Sequence, residues 1–218
     1  MKQIFTVLSL IFIANVGFAQ DQDPKAKAIL DKLSKTTKTY KAISADFALS
    51  MYNKANKLTD KQNGKIAVKG DMFRLEIPGN VIVCNGKTLW NHNKDAKEVT
   101  IKDFDASNED QINPSKIFTI YENGFKYKYE KEEKVGANLC QVINLYPSEG
   151  QNKKKYHTLK LYIIKSKNQV TRMKIINKDG TYSVYDIKNF KPNPPLTDDS
   201  FNFDTKGFKA DEIIDERD

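Results

Sequence analysis

Apolar residues recur along this chain with two different periods, and the change from one to the other predicts the architecture. After Asp23-Pro24, residues Ala26, Ile29, Leu30 and Leu33 fall at i, i+3, i+4 and i+7. That spacing lays one apolar stripe on a helix running to about Lys38. Asp23 suits the cap, and Pro24 suits the first helical position. From residue 43 the period becomes two. Ile43, Ala45, Phe47, Leu49 and Met51 alternate with Ser44, Asp46, Ala48 and Ser50, the pattern of a strand with one buried face. Asn63-Gly64, Asn85-Gly86, Asn123-Gly124 and Asp179-Gly180 supply turn chemistry. Strands are expected over 64–69, 72–77, 80–85, 88–93, 97–104, 125–133, 139–146, 156–166, 169–178 and 181–190, with a short edge at Phe201 to Phe203.

One stretch breaks this β pattern. Residues 105–122 begin polar, then Asn113-Pro114 reads as a cap and first helical position, and Ile117, Phe118 and Tyr121 follow at helical spacing. A short helix inserted between strands is expected, its apolar face buried against the sheet. The outline is helix, about six strands, helix, then about five strands. Consecutive antiparallel strands twist and curl, which gives the sheet an interior that is either filled or hollow.

The N-terminus reads as a targeting segment. A basic start at Lys2 precedes an apolar run from Ile4 to Val16, and small residues stand at Gly17 and Ala19. Cleavage after Ala19 is expected, leaving residues 20–218 as one domain in an extracytoplasmic compartment. The run falls short of the roughly 20 apolar residues of a membrane span. The formal net charge is +8, spread along the chain with acidic residues interleaved. This balance favours anionic partners, acidic membrane surfaces among them, and equally suits lysines that only keep the protein soluble. No nucleic-acid recognition motif accompanies it. The two cysteines, Cys84 and Cys140, sit in expected strands. The sequence leaves open whether they pair or serve as small buried apolar residues.

Chemistry is hard to find. His92 and His157 are the only histidines, and neither belongs to a metal-ligand spacing. Gly86-Lys87-Thr88 matches the tail of a P-loop, but the glycine that should open the motif is Val81; a hairpin turn is the expectation. Glu98, Asp103 and Asp105 read as solvated surface. Neither an enzyme nor a cofactor is expected. What is abundant is apolar and aromatic surface at alternating strand positions, which by itself is an ordinary core.

The run Val81 to Asn93, containing Asn-Gly-Lys-Thr-Leu-Trp, resembles a signature of the LolA family of periplasmic lipoprotein carriers. Ala45-Asp46-Phe47 resembles the family's Ala-x-Phe strand, Gly64 to Lys69 its Gly-x-Leu/Ile-x-Val-Lys strand, and Phe73-Arg74-Leu75 its Phe-Arg-Trp. Asn113-Pro114 resembles the opening of its lid helix, Leu145-Tyr146-Pro147 its Leu-x-Pro, and Asp198 to Phe203 its Asp-x-x-Phe-x-Phe. The order holds from about residue 26 to 204, and the Lys, Asn and Tyr usage is similar to a Bacteroidota member. There is one departure. Where better-known members carry Lys-Arg-Pro, with the Arg as a lid latch, this chain has Lys69-Gly70-Asp71.

The resemblance implies a mainly β (α+β) fold: an incomplete antiparallel β-barrel of about eleven strands, covered by an N-terminal helix and a lid helix. It implies a monomeric carrier that takes lipoprotein acyl chains from an inner-membrane releasing transporter to an outer-membrane acceptor, touching membrane surfaces transiently. The residues expected to line the lipid cavity are Phe47, Leu49, Phe73, Leu75 and Trp90. Pro114, Ile117 and Phe118 are expected in the lid, and Arg74 is the candidate replacement latch. Phe73→Glu is expected to abolish cargo binding and leave the fold intact. A sensor of stray lipids or lipoproteins, or a carrier of another lipid, is the alternative on the same fold.

Overall fold

The computed structural model describes residues 22–105, 116, 118–148 and 154–217; the expected signal segment lies outside them. The helix forms as the stripe predicts, α1 spanning Pro24–Thr37. It is followed by β1 (Ile43–Tyr52), β2 (Leu58–Lys69), β3 (Met72–Ile77), β4 (Asn80–Cys84), β5 (Thr88–Asn93) and β6 (Glu98–Asp103). A 3-10 turn at Ile120–Glu122 leads into β7 (Phe125–Val135), β8 (Asn138–Pro147), β9 (Tyr156–Ile164), β10 (Gln169–Asn177) and β11 (Tyr182–Pro192). The chain ends with 3-10 turns at Asp198–Phe201 and Ala210–Glu212 and a last strand, β12 (Ile213–Asp215).

The twelve strands among the described residues form one sheet in the order β12-β6-β5-β4-β3-β2-β1-β11-β10-β9-β8-β7. Neighbours are antiparallel except β12 and β6. The sheet stays open, with β7 and β12 as its edges. Two strand expectations change. Phe201 to Phe203 is not a strand, because Phe201 turns into the protein at the end of a 3-10 turn; β12 takes the edge instead. β2 starts at Leu58 rather than 64, because pairing with β1 carries the polar run through Lys61 and Asn63.

Cross-strand partners place side chains on the same face of a sheet, so the register sorts the core. One apolar stripe runs through Leu145, Leu159 and Ile175, and through Ile143, Leu161, Met173, Tyr185 and Leu49 beside it. It continues through Ile187, Phe47, Ala45, Ile66, Leu75 and Ile82. We call this the inner face, because α1 lies on it. Ala26, Ile29, Leu30 and Leu33 pack there against Ile143, Leu145, Leu159 and Leu161. Each full burial of such a large aliphatic side chain contributes roughly 1.5–3 kcal/mol.

Asp23 fixes the angle at which α1 enters. One carboxylate oxygen accepts from the backbone N–H of Lys25 and Ala26, at 2.8 and 3.2 Å. The other accepts from the N–H of Tyr129 in edge strand β7 at 3.0 Å. The Tyr129 bond foremost, with the two cap bonds, holds the carboxyl below its ordinary value. Asp23→Ala is expected to cost about 0.5–2 kcal/mol, the usual range for a lost cap. A depressed carboxylate contributes stability above its unfolded value near 3.9 and loses it as pH falls through the folded value. The difference in denaturation midpoint between wild type and Asp23→Ala is therefore largest above about pH 5 and shrinks on acidification; a pH-independent difference would sink this reading.

The outer face carries its own apolar layer. Val81, Val83, Val99 and Ile101 are buried, and Phe201 is fully buried. The chain after residue 196 crosses this face. Lys69 holds it through Asp198 at 2.7 Å. His92 meets Phe203 and Phe208 edge-on, with centroids 5.5 and 5.1 Å away. Glu216 donates its N–H to the Ile101 carbonyl at 2.8 Å.

Candidate functional site: an apolar trough open at one end

The inner face of β1 to β5 is apolar, and its exposure is graded along the strands. Toward the end carrying the β2–β3 and β4–β5 turns, Ile43, Ala45, Ile66, Val68, Phe73 and Cys84 are buried. An aromatic group stoppers that end. Phe118 is 6% exposed and sits edge-on to Phe190 at 5.9 Å. Phe190 leans on Tyr40, and Phe104 meets Phe73 edge-on at 5.8 Å. Toward the opposite end, Phe47, Leu75, Ile77 and Ile82 are only half-buried. Among the described residues the result is a trough with an apolar floor, packed at one end and only half-covered at the other. Beyond Leu89 the inner face turns polar at Asn91, Thr100 and Lys102, which sets the trough's outer flank.

Gly64 shapes the floor. It pairs with Phe47, and the Phe47 ring lies over its Cα: an added Cβ would overlap Phe47 Cζ and stand 2.7 Å from the Glu76 carbonyl oxygen. Gly64→Ala is expected to push the ring into the trough and cost about 1–3 kcal/mol by overpacking. Thermal denaturation and amphiphile binding measured together check this; an unchanged midpoint with unchanged affinity would contradict the packing described.

The structure places Phe47, Leu49, Phe73 and Leu75 on the inner face, as their alternation suggests. Their roles differ. Phe73 is 2% exposed, part of the packed closed end, so Phe73→Glu would disrupt the fold and not cargo contact alone. Leu75 and Phe47 are the accessible members. Ile66, Ile77 and Ile82 complete the floor: Ile77 shares the face of Phe73 and Leu75 by parity along β3, while the pairing that sets Ile66 and Ile82 beside Leu75 is not legible in the sequence.

Two expected site residues move to the other face. Trp90 is the cross-strand partner of Val83 and Ile101, while Cys84, which shares the face of Phe73, pairs with Leu89. The β4–β5 turn therefore gives Leu89, not Trp90, to the trough. Arg74 stands between Phe73 and Leu75 and so points away from both. Its Nε donates to Glu76 at 2.9 Å, and both line a polar hollow of about 700 Å³ with Asp46, Lys65 and Lys191. From that side Arg74 cannot latch a helix on the inner face. Gly70 forms the β2–β3 turn at φ +59. Pro114 and Ile117 lie outside the described residues.

The cysteines are free and buried. Burial pushes both thiols above their ordinary value, so they serve as small apolar residues. Asn85 accepts from the N–H groups of Lys87 and Thr88, which makes the P-loop look-alike a hairpin turn. Among the described residues no cluster of His, Cys, Asp or Glu could hold a metal ion.

Known proteins resemble this chain in sequence and in structure. An outer-membrane lipoprotein carrier protein of Pasteurella multocida is 26% identical over 214 residues, covering 95% of this chain and 94% of that protein. An uncharacterized protein of Methanocaldococcus jannaschii is 26% identical over 206 residues, 93% of this chain; the chain spans 58% of that protein's length. Among solved structures, an uncharacterized conserved protein of Thermus thermophilus matches with TM-score 0.57 at 16% identity, over 89% of this chain and 99% of the other. The Mycobacterium tuberculosis lipoprotein LppX matches with TM-score 0.52 at 12% identity, over 81% and 99%. The family described as outer membrane lipoprotein carrier protein LolA matches residues 38–204. With that match spanning most of the sheet and the whole trough floor, the chain belongs to the LolA family.

Proposed function

We propose that this protein is a periplasmic carrier, released from its signal segment after Ala19, that shelters lipoprotein acyl chains in the trough and moves them from an inner-membrane releasing transporter to an outer-membrane acceptor. The observation that carries this reading is the row of half-buried apolar side chains Phe47, Leu75, Ile77 and Ile82 on a face that could have been packed shut. Each buried CH₂ contributes about 0.8 kcal/mol, so a chain of roughly a dozen gains roughly 10 kcal/mol by leaving water. That gain holds the cargo across an aqueous compartment. Release then requires an acceptor whose interior is at least as apolar. Phe118 is the movable stopper: acyl chains displace its ring from Phe190 and occupy the same apolar space, so the net exchange is modest. The protein acts as a monomer and performs no bond chemistry.

Gentle isolation from the native periplasm followed by mass spectrometry tests the assignment. Triacylated lipoprotein bound to the chain is the expected result. A glycolipid or pigment precursor in its place would replace the proposed cargo, and an empty protein bound to a signalling partner would favour the sensor.

A further inference from the structure

The open end of the trough coincides with a rim of lysines. The turns β1–β2, β3–β4, β5–β6 and β10–β11 all lie at that end, since β1 runs toward it and its neighbours alternate. Three of these turns begin Asn-Lys: Asn53-Lys54, Asn93-Lys94 and Asn177-Lys178. Two of the asparagines are spent on the backbone, and Asn177 Nδ2 donates to the Thr181 hydroxyl at 3.0 Å. Asn53 Oδ1 accepts from the N–H groups of Ala55 and Lys57, both at 3.0 Å. Asn93 Oδ1 accepts from those of Asp95 and Ala96, at 3.0 and 3.1 Å. These closures leave Lys54, Lys57, Lys94 and Lys97 exposed, and none of the four is held in an ion pair among the described residues. Lys155 and Lys178 extend the rim, joined by a backbone hydrogen bond of 3.0 Å. The opposing charges in these turns are Asp95 and Asp179, with Asp60 and Glu98 just inside the strands. Asp179 accepts from Thr181, which donates both its N–H and its hydroxyl, and lies within reach of the Lys54 charge.

Apolar and aromatic groups stand among these lysines. Leu58 is 46% exposed at the start of β2. Tyr52 and Tyr182 stack at 4.6 Å with an 11° tilt, and Lys174 Nζ lies 3.6 Å above the Tyr182 ring. Tyrosine, leucine and lysine together suit the boundary between headgroups and water, where an amphipathic ring and a cation both find partners. The opposite end of the sheet differs. Its turns hold Lys87, Lys165 and Lys167, of which Lys165 is paired with Glu132 at 2.8 Å, and they include Asp71.

We propose that this rim docks the open end of the trough onto the surface of an anionic phospholipid bilayer. The inference rests on the carrier reading, and it adds the surface and the orientation: the mouth faces the headgroups, so acyl chains handed over by the transporter or to the acceptor at that surface do not cross bulk water. An acidic face on a partner protein is the competing occupant. The exposed Leu58 and the stacked tyrosines favour lipid, because a purely electrostatic contact has no use for them.

Flotation of the full mature chain with phosphatidylcholine vesicles, with and without phosphatidylglycerol, tests this. Binding is expected only with phosphatidylglycerol, and it should weaken as salt rises, because screening shortens the reach of the lysines. The combined variant Lys54→Gln, Lys57→Gln, Lys94→Gln and Lys97→Gln should lose at least about tenfold in vesicle partitioning. It should keep its affinity for a soluble triacylated lipopeptide. Lys87→Gln with Lys167→Gln, at the other end, should partition as wild type. Equal partitioning of the rim variant and wild type would overturn the proposal, as would equal binding to neutral vesicles. So would absence of vesicle binding with impaired delivery to an isolated acceptor protein, which would assign the rim to an acidic partner. Loss of lipopeptide binding by wild type itself would strike the carrier reading instead.

Discussion

Leu75→Glu is expected to abolish lipopeptide binding while leaving the sheet folded. Leu75 sits on β3 between Ile66 and Ile82 on the inner face and is only half-buried, so in the unloaded protein a glutamate there can turn toward water. In the loaded protein the same carboxylate would face hydrocarbon, and an unpaired charge in apolar surroundings costs several kcal/mol. An affinity loss of at least about 100-fold corresponds to about 2.7 kcal/mol. Leu75 packs in part against the buried cluster around Phe73, so a stability loss of about 1–2 kcal/mol, within the usual range for a point substitution, is expected, well short of unfolding. Displacement of an environment-sensitive fluorescent amphiphile by triacylated lipopeptide measures the first quantity, and thermal denaturation the second. Near-wild-type affinity would remove Leu75 from the binding floor.

Phe201→Ala is expected to produce the largest stability loss. The ring is fully buried at the end of the 3-10 turn that Lys69 ties down through Asp198, on the face away from the trough. Truncating a buried Phe costs about 3–5 kcal/mol, from lost transfer energy and the cavity left behind. For a domain of this size that is a fall in midpoint of roughly 6–20 °C. Binding measured well below the midpoint should survive, because Phe201 and Leu75 lie on opposite faces of the sheet. Calorimetry with a parallel binding assay separates the two effects. A shift of a degree or two would mean that the C-terminal crossing is not part of the core.

The contrast between these residues explains what the sequence could disclose. Helix α1 was legible because cap, proline and stripe agree at Asp23, Pro24 and Leu33. The strands were legible because alternation and turn residues coincide at their ends. Which strand positions share a face was only partly so. Within a strand, parity is certain, and Arg74 between Phe73 and Leu75 was already barred from their side. Between strands, parity depends on how many residues the turn consumes, and a one-residue change flips every side chain. The four residues between Cys84 and Leu89 bring the two opposite each other, and Trp90 goes to the other face. β12 escaped notice because three residues carry no period. Its place beside β6 comes from a long-range contact, secured by Glu216 on Ile101 and Lys102. The lysine rim was present in the sequence as repeated Asn-Lys pairs, but only the strand order brings them to one end.

The central claim is that acyl chains lie on the inner face of the sheet and nowhere else. Arg74 and Leu75 are adjacent in the chain and face opposite ways, which allows a direct test. A photoreactive benzophenone side chain placed at either position, in protein loaded with triacylated lipopeptide, reports contact by covalent capture. Strong capture from position 75 with background capture from position 74 is the predicted result; equal capture, or capture from position 74 alone, would contradict the account.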